Sequence, residues 1–368
     1  MIVLGFCSCQ KEISNTVAEP AEVDVYVAGY EFDGINSFAT IWKNGSPVTI
    51  TNCSDASSIA VVGGDVYVAG GGDGGGAKYW KNGSPVALST GSKLGGTSSI
   101  AVSGNDVYVA GYMANVPGNV PGDYDIHAVY WKNGIPTYLH ENTRSGDWAD
   151  NYPISSKSSH ANSIFISGSD IYIAGGEEIT RVDLPDPNDP FGAPGYMYAI
   201  SAVYWKNGNE IYLIKGGYAS SLADDAYSIF VAGQDVYACG ALEARYWKNG
   251  NAVSLDGVAK SIFVSDGDVY VAGSQTDGEP FQTYNGHSYR RVAKYWKNGT
   301  AVNLSDGTKD AYATSIAVSG NDVYVAGYEE NDAGTQNWVA KYWKNGNAVI
   351  LGDASKESGA NCIFLAKK

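Results

Sequence analysis

Histidines are the residues of this chain best suited to proton transfer or metal ligation, and three of the four, His127, His140 and His160, lie close together in sequence. His127 and His140 flank the segment Ala128-Val-Tyr-Trp-Lys-Asn-Gly-Ile-Pro-Thr-Tyr-Leu139. Asn133-Gly134 reads as a two-residue hairpin turn, because Asn and Gly tolerate the positive φ that a type I′ turn needs. In that register Lys132 opposes Ile135, Trp131 opposes Pro136 and, counting outward, His127 opposes His140. Directly opposed residues have Cβ atoms about 5 Å apart on one side of the sheet. Such a pair can ligate a transition metal, with Glu141, Asp125 or Asp123 supplying oxygen; the competing reading is two partly exposed histidines at a strand end. His160 is expected nearer the centre of the fold, too far to join them. The stretch Asp183-Leu-Pro-Asp-Pro-Asn-Asp189 could hold Ca²⁺ through clustered carboxylates. It lacks EF-hand spacing and is rich in proline, so an acidic surface loop is the preferred reading, and no cofactor is expected overall.

Aromatic residues outside any repeated motif form a second group. Trp148, Tyr124, Tyr152, Tyr196, Tyr198, Trp338 and Tyr284 lie in long inserted segments beside Asp and Asn. Rings next to polar groups suit the capture of a sugar or peptide, since ring faces stack and polar groups give direction. The alternative is that they build small cores within their own segments. Several catalytic signatures are missing: there is no Gly-x-Ser-x-Gly elbow, P-loop, His-Glu-x-x-His or zinc-spaced Cys-x-x-Cys pair. The chain has 39 acidic residues, so carboxylate pairs for glycoside chemistry abound and none stands out.

The elements that must position these residues are repeats. Trp-Lys-Asn-Gly starts at Trp42, Trp80, Trp131, Trp205, Trp247, Trp296 and Trp343. Asp-Val-Tyr-Val-Ala-Gly, or a near copy, starts at Asp24, Asp65, Asp106, Asp170, Asp235, Asp268 and Asp322. Each unit reads as four short strands, a to d. In the last unit they are Ser315–Val318, Asp322–Gly327, Ala340–Trp343 and Ala348–Leu351. All are rich in β-branched and aromatic residues and bounded by turn formers. Seven such units predict an all-β, seven-bladed β-propeller with four antiparallel strands per blade; a β-solenoid fits the hairpin turns poorly. The repeated Trp and Tyr are expected in the core and between blades, and the seven Lys as solvated turn residues.

The first b strand, at Asp24, has no a strand before it, whereas Asn361-Cys-Ile-Phe-Leu365 resembles strand a at the chain's other end. Pairing the two would close the ring and remove two sheet edges. With a and c running one way and b and d returning, the a–b and c–d turns share one face of the disc. The b–c and d–a connections share the other. Every long insertion falls on this second face: Met113–Ile126, Gly176–Ile200, Ser274–Arg290 and Tyr328–Trp338 between b and c, and His140–Ala161 between d and a. Long irregular loops in a compact domain tend to carry function, so this is expected to be the working face.

The net charge of −15 argues against nucleic-acid binding, which needs basic patches to replace phosphate counterions. Of the five cysteines, Cys239 reads as a buried filler. Cys53 and Cys362 are expected near the closure, where a disulfide between them is open. Met1-Ile-Val-Leu-Gly-Phe-Cys-Ser-Cys9 is an apolar run followed by polar residues. It resembles the end of a bacterial lipoprotein signal peptide, which implies Cys9 as the lipidated residue, a tether up to residue 22 and a propeller over 23–368. The basic opening of such peptides is missing, so the resemblance carries the expectation of a true start upstream of Met1.

The repeat resembles the exported HAF-type propeller repeats. The best match is Leu94–Gly111, preceded by Ala77-Lys-Tyr-Trp-Lys-Asn-Gly83 and Leu88. The resemblance implies an exported propeller and assigns no catalytic residue. The expectation is therefore a lipid-anchored propeller at a bacterial cell envelope, recognising a glycan or protein on its b–c/d–a face, with no nucleic acid and no membrane contact beyond the anchor. The alternative is a polysaccharide-active enzyme, a lyase or glycoside hydrolase, with its site on blades 3 and 4.

Overall fold

The computed structural model describes residues 4–6, 22–72, 76–88, 90–91, 94–114, 126–139, 148–149, 152–183, 195–215, 225–240, 244–283, 286–331 and 337–368. Seven antiparallel sheets each run in the order a-b-c-d from the axis to the rim. Strand a of blades 2 to 7 is Cys53–Val62, Leu94–Ser103, Tyr152–Ser167, Ala226–Ala232, Val258–Ser265 and Ala311–Ser319. Blade 1 takes its strand a from Glu357–Lys367, which pairs with Val23–Phe32 in the register Tyr26↔Phe364. The chain is thus a seven-bladed propeller closed by its C-terminal strand, as the repeats predict. Leu4–Phe6 adds a short strand to the channel side of blade 3, pairing with Ala101–Ser103. Cys9 lies outside the described residues. Among the described residues, no helix is long and apolar enough to cross a membrane.

The two repeated motifs build one clasp seven times. At each c–d turn, Asn adopts φ of 48–52° and Gly 79–86°, the type I′ signature. In blade 7 Asn345 donates through Nδ2 to Asp322 Oδ1 (2.8 Å) and accepts the Val323 N–H at Oδ1 (2.8 Å). Lys344 pairs with Asp322 Oδ2 at 2.9 Å and lies 5.2 Å above the Tyr324 ring. The same Asp–Lys pair recurs at 2.7–3.1 Å in the other six blades. The lysines expected to be merely solvated are therefore half-exposed members of ion pairs, because strand b places its opening Asp beside the c–d turn. The Trp that opens each turn motif is at most 2 % exposed, filling the space between blades.

The glycine common to all seven b strands answers to a β-bulge in strand a. All seven a–b pairings slip by one residue at the same place, leaving Asn361, Ser57, Ser98, Asn162, Tyr227, Lys260 and Thr314 as the extra residues of blades 1 to 7. A bulge bends its strand and re-aims the extra side chain. Opposite it, a Cβ on the strand-b Gly would lie 1.8–2.0 Å from a strand-a carbonyl oxygen in every blade. Only glycine lets the backbones approach this closely.

The residue after each bulge stitches neighbouring blades. Ser58 Oγ accepts the Ile100 N–H at 2.9 Å, and the pattern continues from Ser99 to Ile164, Ser163 to Ile229, Ser228 to Ile262, Ser261 to Ile316 and Ser315 to Ile363. In blade 1 Cys362 takes the serine position. Cys53 and Cys239 are buried and are not in a disulfide. The Cys53–Cys362 bridge is therefore not formed. Cys53 Sγ instead lies 3.2 Å from the Asp55 carbonyl, inside the core between blades 1 and 2.

The insertions expected as irregular loops are in part extensions of the blades. Strands b and c of blade 4, Asp170–Asp183 and Gly195–Lys206, stay paired from Tyr172↔Lys206 out to Asp183↔Gly195. Strand a of the same blade pairs outward to Ile154↔Arg181, and Trp148–Ala149 adds to it through Ala149↔Tyr152. In blade 6, Asp268–Thr283 and Gly286–Lys297 pair out to Thr283↔Gly286. β-Branched residues such as Ile179, Thr180 and Val182 favour continued pairing over coil. Residues 184–194, most of the acidic stretch after Asp183, lie outside the described residues.

Candidate functional site

The strand-a bulges line the propeller axis, so the axis is where the seven blades pool their side chains. The resulting cavity includes Ser57, Ser98, Asn162, Tyr227, Lys260 and Thr314. Much of this ring is fixed by bonds to the backbone. Ser57 donates to the Ala69 carbonyl (3.1 Å), Thr314 to that of Ala360 (2.7 Å), and Asn162 Nδ2 to that of Ala226 (3.1 Å). Asn361 Nδ2 donates to Asp55 Oδ1 at 2.7 Å. Burial raises the Asp55 pKa, and this bond opposes the rise.

Two residues before each bulge, toward the b–c/d–a face, a second layer forms the mouth of the channel. It holds Asp55, His160, Asp225 and Tyr312 in blades 2, 4, 5 and 7. His160 Nε2 and Asp225 Oδ2 are 2.8 Å apart, bridging blades 4 and 5. The Asp225 hydrogen bond raises the His160 pKa above its usual 6.5, burial opposes, and the charges of Asp225 and Glu178 add to the rise. Gly176 makes room for the pair: a Cβ there would lie 1.8 Å from Asp225 Oδ1. That oxygen is buried and has no hydrogen-bond partner.

Around the mouth toward blade 7 the character changes from acid to aromatic. Tyr312 and Tyr328 stack with centroids 5.2 Å apart, and Trp338 meets both edge-on at 5.4 and 5.2 Å. Arg291, on strand c of blade 6, lies 5.5 Å from the other ring system's leading member, Tyr312. Next to this cluster, in blade 1, the Tyr30 hydroxyl donates to Glu357 Oε1 at 3.4 Å. Burial first, and then the Glu357 charge, push the Tyr30 pKa up to about 12. On the axial ring Lys260 Nζ stands 3.8 Å over the Tyr227 ring.

Of the expected site residues whose side chains are described, Trp338 is the one that stands at this mouth. It is half-buried and packed on tyrosines rather than free in a loop. Trp148, Tyr152, Tyr196 and Tyr198 occupy the outward extension of blade 4. Tyr124, Tyr284 and His140 lie outside the described residues. His127 is 5 % exposed, pairs with Met113 across strands b and c, and packs its ring edge-on against Tyr138 at 5.9 Å. It is thus a core residue of blade 3 and not a partly exposed strand end. Among the described residues there is no group of three or more His, Cys, Asp or Glu placed to hold a metal ion.

The sequence reading missed the His160–Asp225 pair and the Lys260 position. Aligning the a strands on Ser-Ile, Cys-Ile in blade 1, puts Lys260 level with Tyr227 and His160 level with Asp225, but that alignment shows neither the bulge nor a pairing across blades. No family model matches the chain, and no curated protein matches it as a relative.

Proposed function

We propose that this propeller is a recognition module that binds a glycan at the channel mouth on its b–c/d–a face, held at a bacterial envelope through lipid on Cys9. The asymmetry of the disc carries this reading. One face is seven near-identical clasps, while the other collects the blade extensions and the Tyr312–Tyr328–Trp338 cluster. Stacked rings beside hydrogen-bonding groups suit the apolar faces and hydroxyl edges of a sugar. The test is retention of the chain on a panel of neutral and acidic polysaccharides, with product analysis of each hit. Retention without turnover, reduced by Trp338→Ala, supports the reading. Failure to retain any member of the panel makes a protein ligand the better assignment. Incorporation of labelled fatty acid in a bacterial host, lost in Cys9→Ala, tests the anchor.

A second reading, a polysaccharide-active enzyme, is favoured by the His160–Asp225 pair. A carboxylate that raises the basicity of an imidazole facing a cleft is the arrangement a general base uses. The same product analysis tests it: turnover abolished by His160→Gln would replace the recognition reading.

A further inference from the structure

The lining of the axial cavity is polar and contains one charged side chain, Lys260. Among the described residues the lysine of every clasp faces a carboxylate, as do Lys341 and Lys368. Lys260 has none. Its ammonium instead rests over the Tyr227 ring of blade 5 at 3.8 Å. Arg291, from strand c of blade 6, the blade that carries Lys260, makes the mirror arrangement toward blade 7, its guanidinium 5.5 Å from the Tyr312 ring. Asp310 is close to it, but accepts the Arg291 backbone N–H at 2.6 Å rather than bonding the guanidinium. Asp225, whose charge reaches Lys260, is engaged by His160.

An isolated cation in a walled cavity is costly, and a second cation nearby makes it more so. Both costs register at Lys260. Withdrawal from water lowers its pKa most, the Cys239 and Asp225 charges oppose, and the Arg291 charge adds the smallest part of the lowering. A chain with 39 acidic and 24 basic residues had ample means to pair these cations, and among the described residues neither has a carboxylate in ion-pair contact. An anion between them would relieve both terms. Cation–π contacts hold the two side chains in place meanwhile.

We infer that Lys260 and Arg291 form a carboxylate site at the channel mouth, and that the recognised glycan is an acidic one whose uronate carboxylate seats on Lys260 while its ring stacks toward Tyr312. This rests on the glycan-recognition reading and narrows it.

The experiment uses the full chain with three probes: a hexuronic acid tetrasaccharide, its methyl ester and acetate. Binding of the sugars is measured by calorimetry. Acetate is followed on the Lys260 resonance after reductive ¹³C-methylation, which keeps the charge, with Lys260→Met as the assignment control. The expected result is that the acid form binds and the ester binds at least about tenfold more weakly, the loss of one charge-assisted contact. Lys260→Met should abolish the preference for acid over ester, Lys260→Arg should retain it, Arg291→Gln should reduce it, and acetate should raise the Lys260 pKa saturably. Equal binding of acid and ester, or an acid preference that survives Lys260→Met, overturns the inference and leaves glycan recognition standing. Binding of acetate without either sugar overturns the uronate assignment and points to a peptide C-terminus. Absence of any acetate response at Lys260 overturns the carboxylate site itself. Lys260→Arg carries the test if Lys260→Met melts early.

Discussion

The carbonyl oxygen of Tyr312 lies 1.9 Å from the point where a Cβ on Gly327 would stand. Six other glycines of strand b face a carbonyl in the same way, so the seven bulges and the seven glycines are one device. The contact is with backbone, which cannot swing aside as a side chain can. Gly327→Ala must therefore push strand a away from b or abolish the bulge, and should cost about 2–3 kcal/mol, the upper range for overpacking. Gly76→Ala, whose added Cβ would meet nothing within 4 Å, should leave stability nearly unchanged. Chemical denaturation of the two variants side by side checks this; equal midpoints would mean that the glycine is not there for the close approach.

Blade number, strand order, type I′ turns and ring closure were all legible, because each follows from local rules repeated seven times. Asn345-Gly346 forces its turn wherever it stands, and Trp343 has no stable place except between blades. The bulge was not legible, because register slips are invisible in a single strand; they appear only when strand a meets b. For the same reason His160 and Asp225, far apart in sequence and two blades' edges in space, could not be paired beforehand. His127 was misjudged because its burial is decided by Tyr138 and Met113, not by its nearness to a strand end.

Within a clasp the contributions should rank by burial and geometry. Lys344→Ala removes an ion pair whose lysine is 45 % exposed, and should cost no more than about 1 kcal/mol. Asn345→Ala loses two hydrogen bonds and must hold Ala at φ near 50°, so about 2–3 kcal/mol is expected. Asn345→Gly keeps the backbone free and should recover the conformational part, leaving the hydrogen bonds. If Asn345→Gly and Asn345→Ala were equally destabilised, the positive φ would have no part in the cost.

The clasps also set the acid limit of the fold. In blade 7 the hydrogen bonds from Lys344 and Asn345 lower the Asp322 pKa below 3.8, and the same causes act at Asp65, Asp106, Asp235 and Asp268. A carboxylate with a lowered native pKa stabilises the fold above its unfolded value, and this is lost as pH falls through the native value. Melting temperature should hold steady down to about pH 4 and then fall steeply. Asp322→Asn should shallow that fall, and added salt should weaken the clasps at neutral pH. A pH series of thermal melts in which Asp322→Asn and wild type fall in parallel would rule the clasp out as a contributor.

His160 should act in the opposite direction. Its native pKa is raised by Asp225, so protonation favours the folded state. The stabilisation is fully present below the unfolded value of 6.5 and lost as pH rises through the native value. His160→Gln can still donate to Asp225 but carries no charge. The melting-temperature gap between wild type and His160→Gln should therefore be widest near pH 5.5 and narrow above pH 8, within the range in which histidine titrates. A gap that stays constant over this range would show that the pair is held by shape and hydrogen bonding alone.

Trp338 offers the most direct view of ligand at the mouth. The seven repeat tryptophans are at most 2 % exposed and shielded from any ligand on the working face. Trp338 is half-buried, with its edge contacts to Tyr312 and Tyr328 leaving it open to the mouth. A sugar stacking on this cluster should change tryptophan emission, and Trp338→Phe should remove the change while keeping an aromatic surface and most of the affinity. Trp338→Ala should weaken binding about tenfold or more, since aromatic contacts of this kind contribute about 0.5–1.5 kcal/mol each beyond buried area and two would be disturbed. It should also cost the free protein about 1–2 kcal/mol, because Tyr312 and Tyr328 lose their edge-on partner. Measured binding must therefore be compared at a temperature where both variants are folded. A ligand that binds Trp338→Ala as tightly as wild type would place recognition elsewhere, on the extended hairpins of blades 4 and 6, where the register runs out to Asp183↔Gly195 and Thr283↔Gly286.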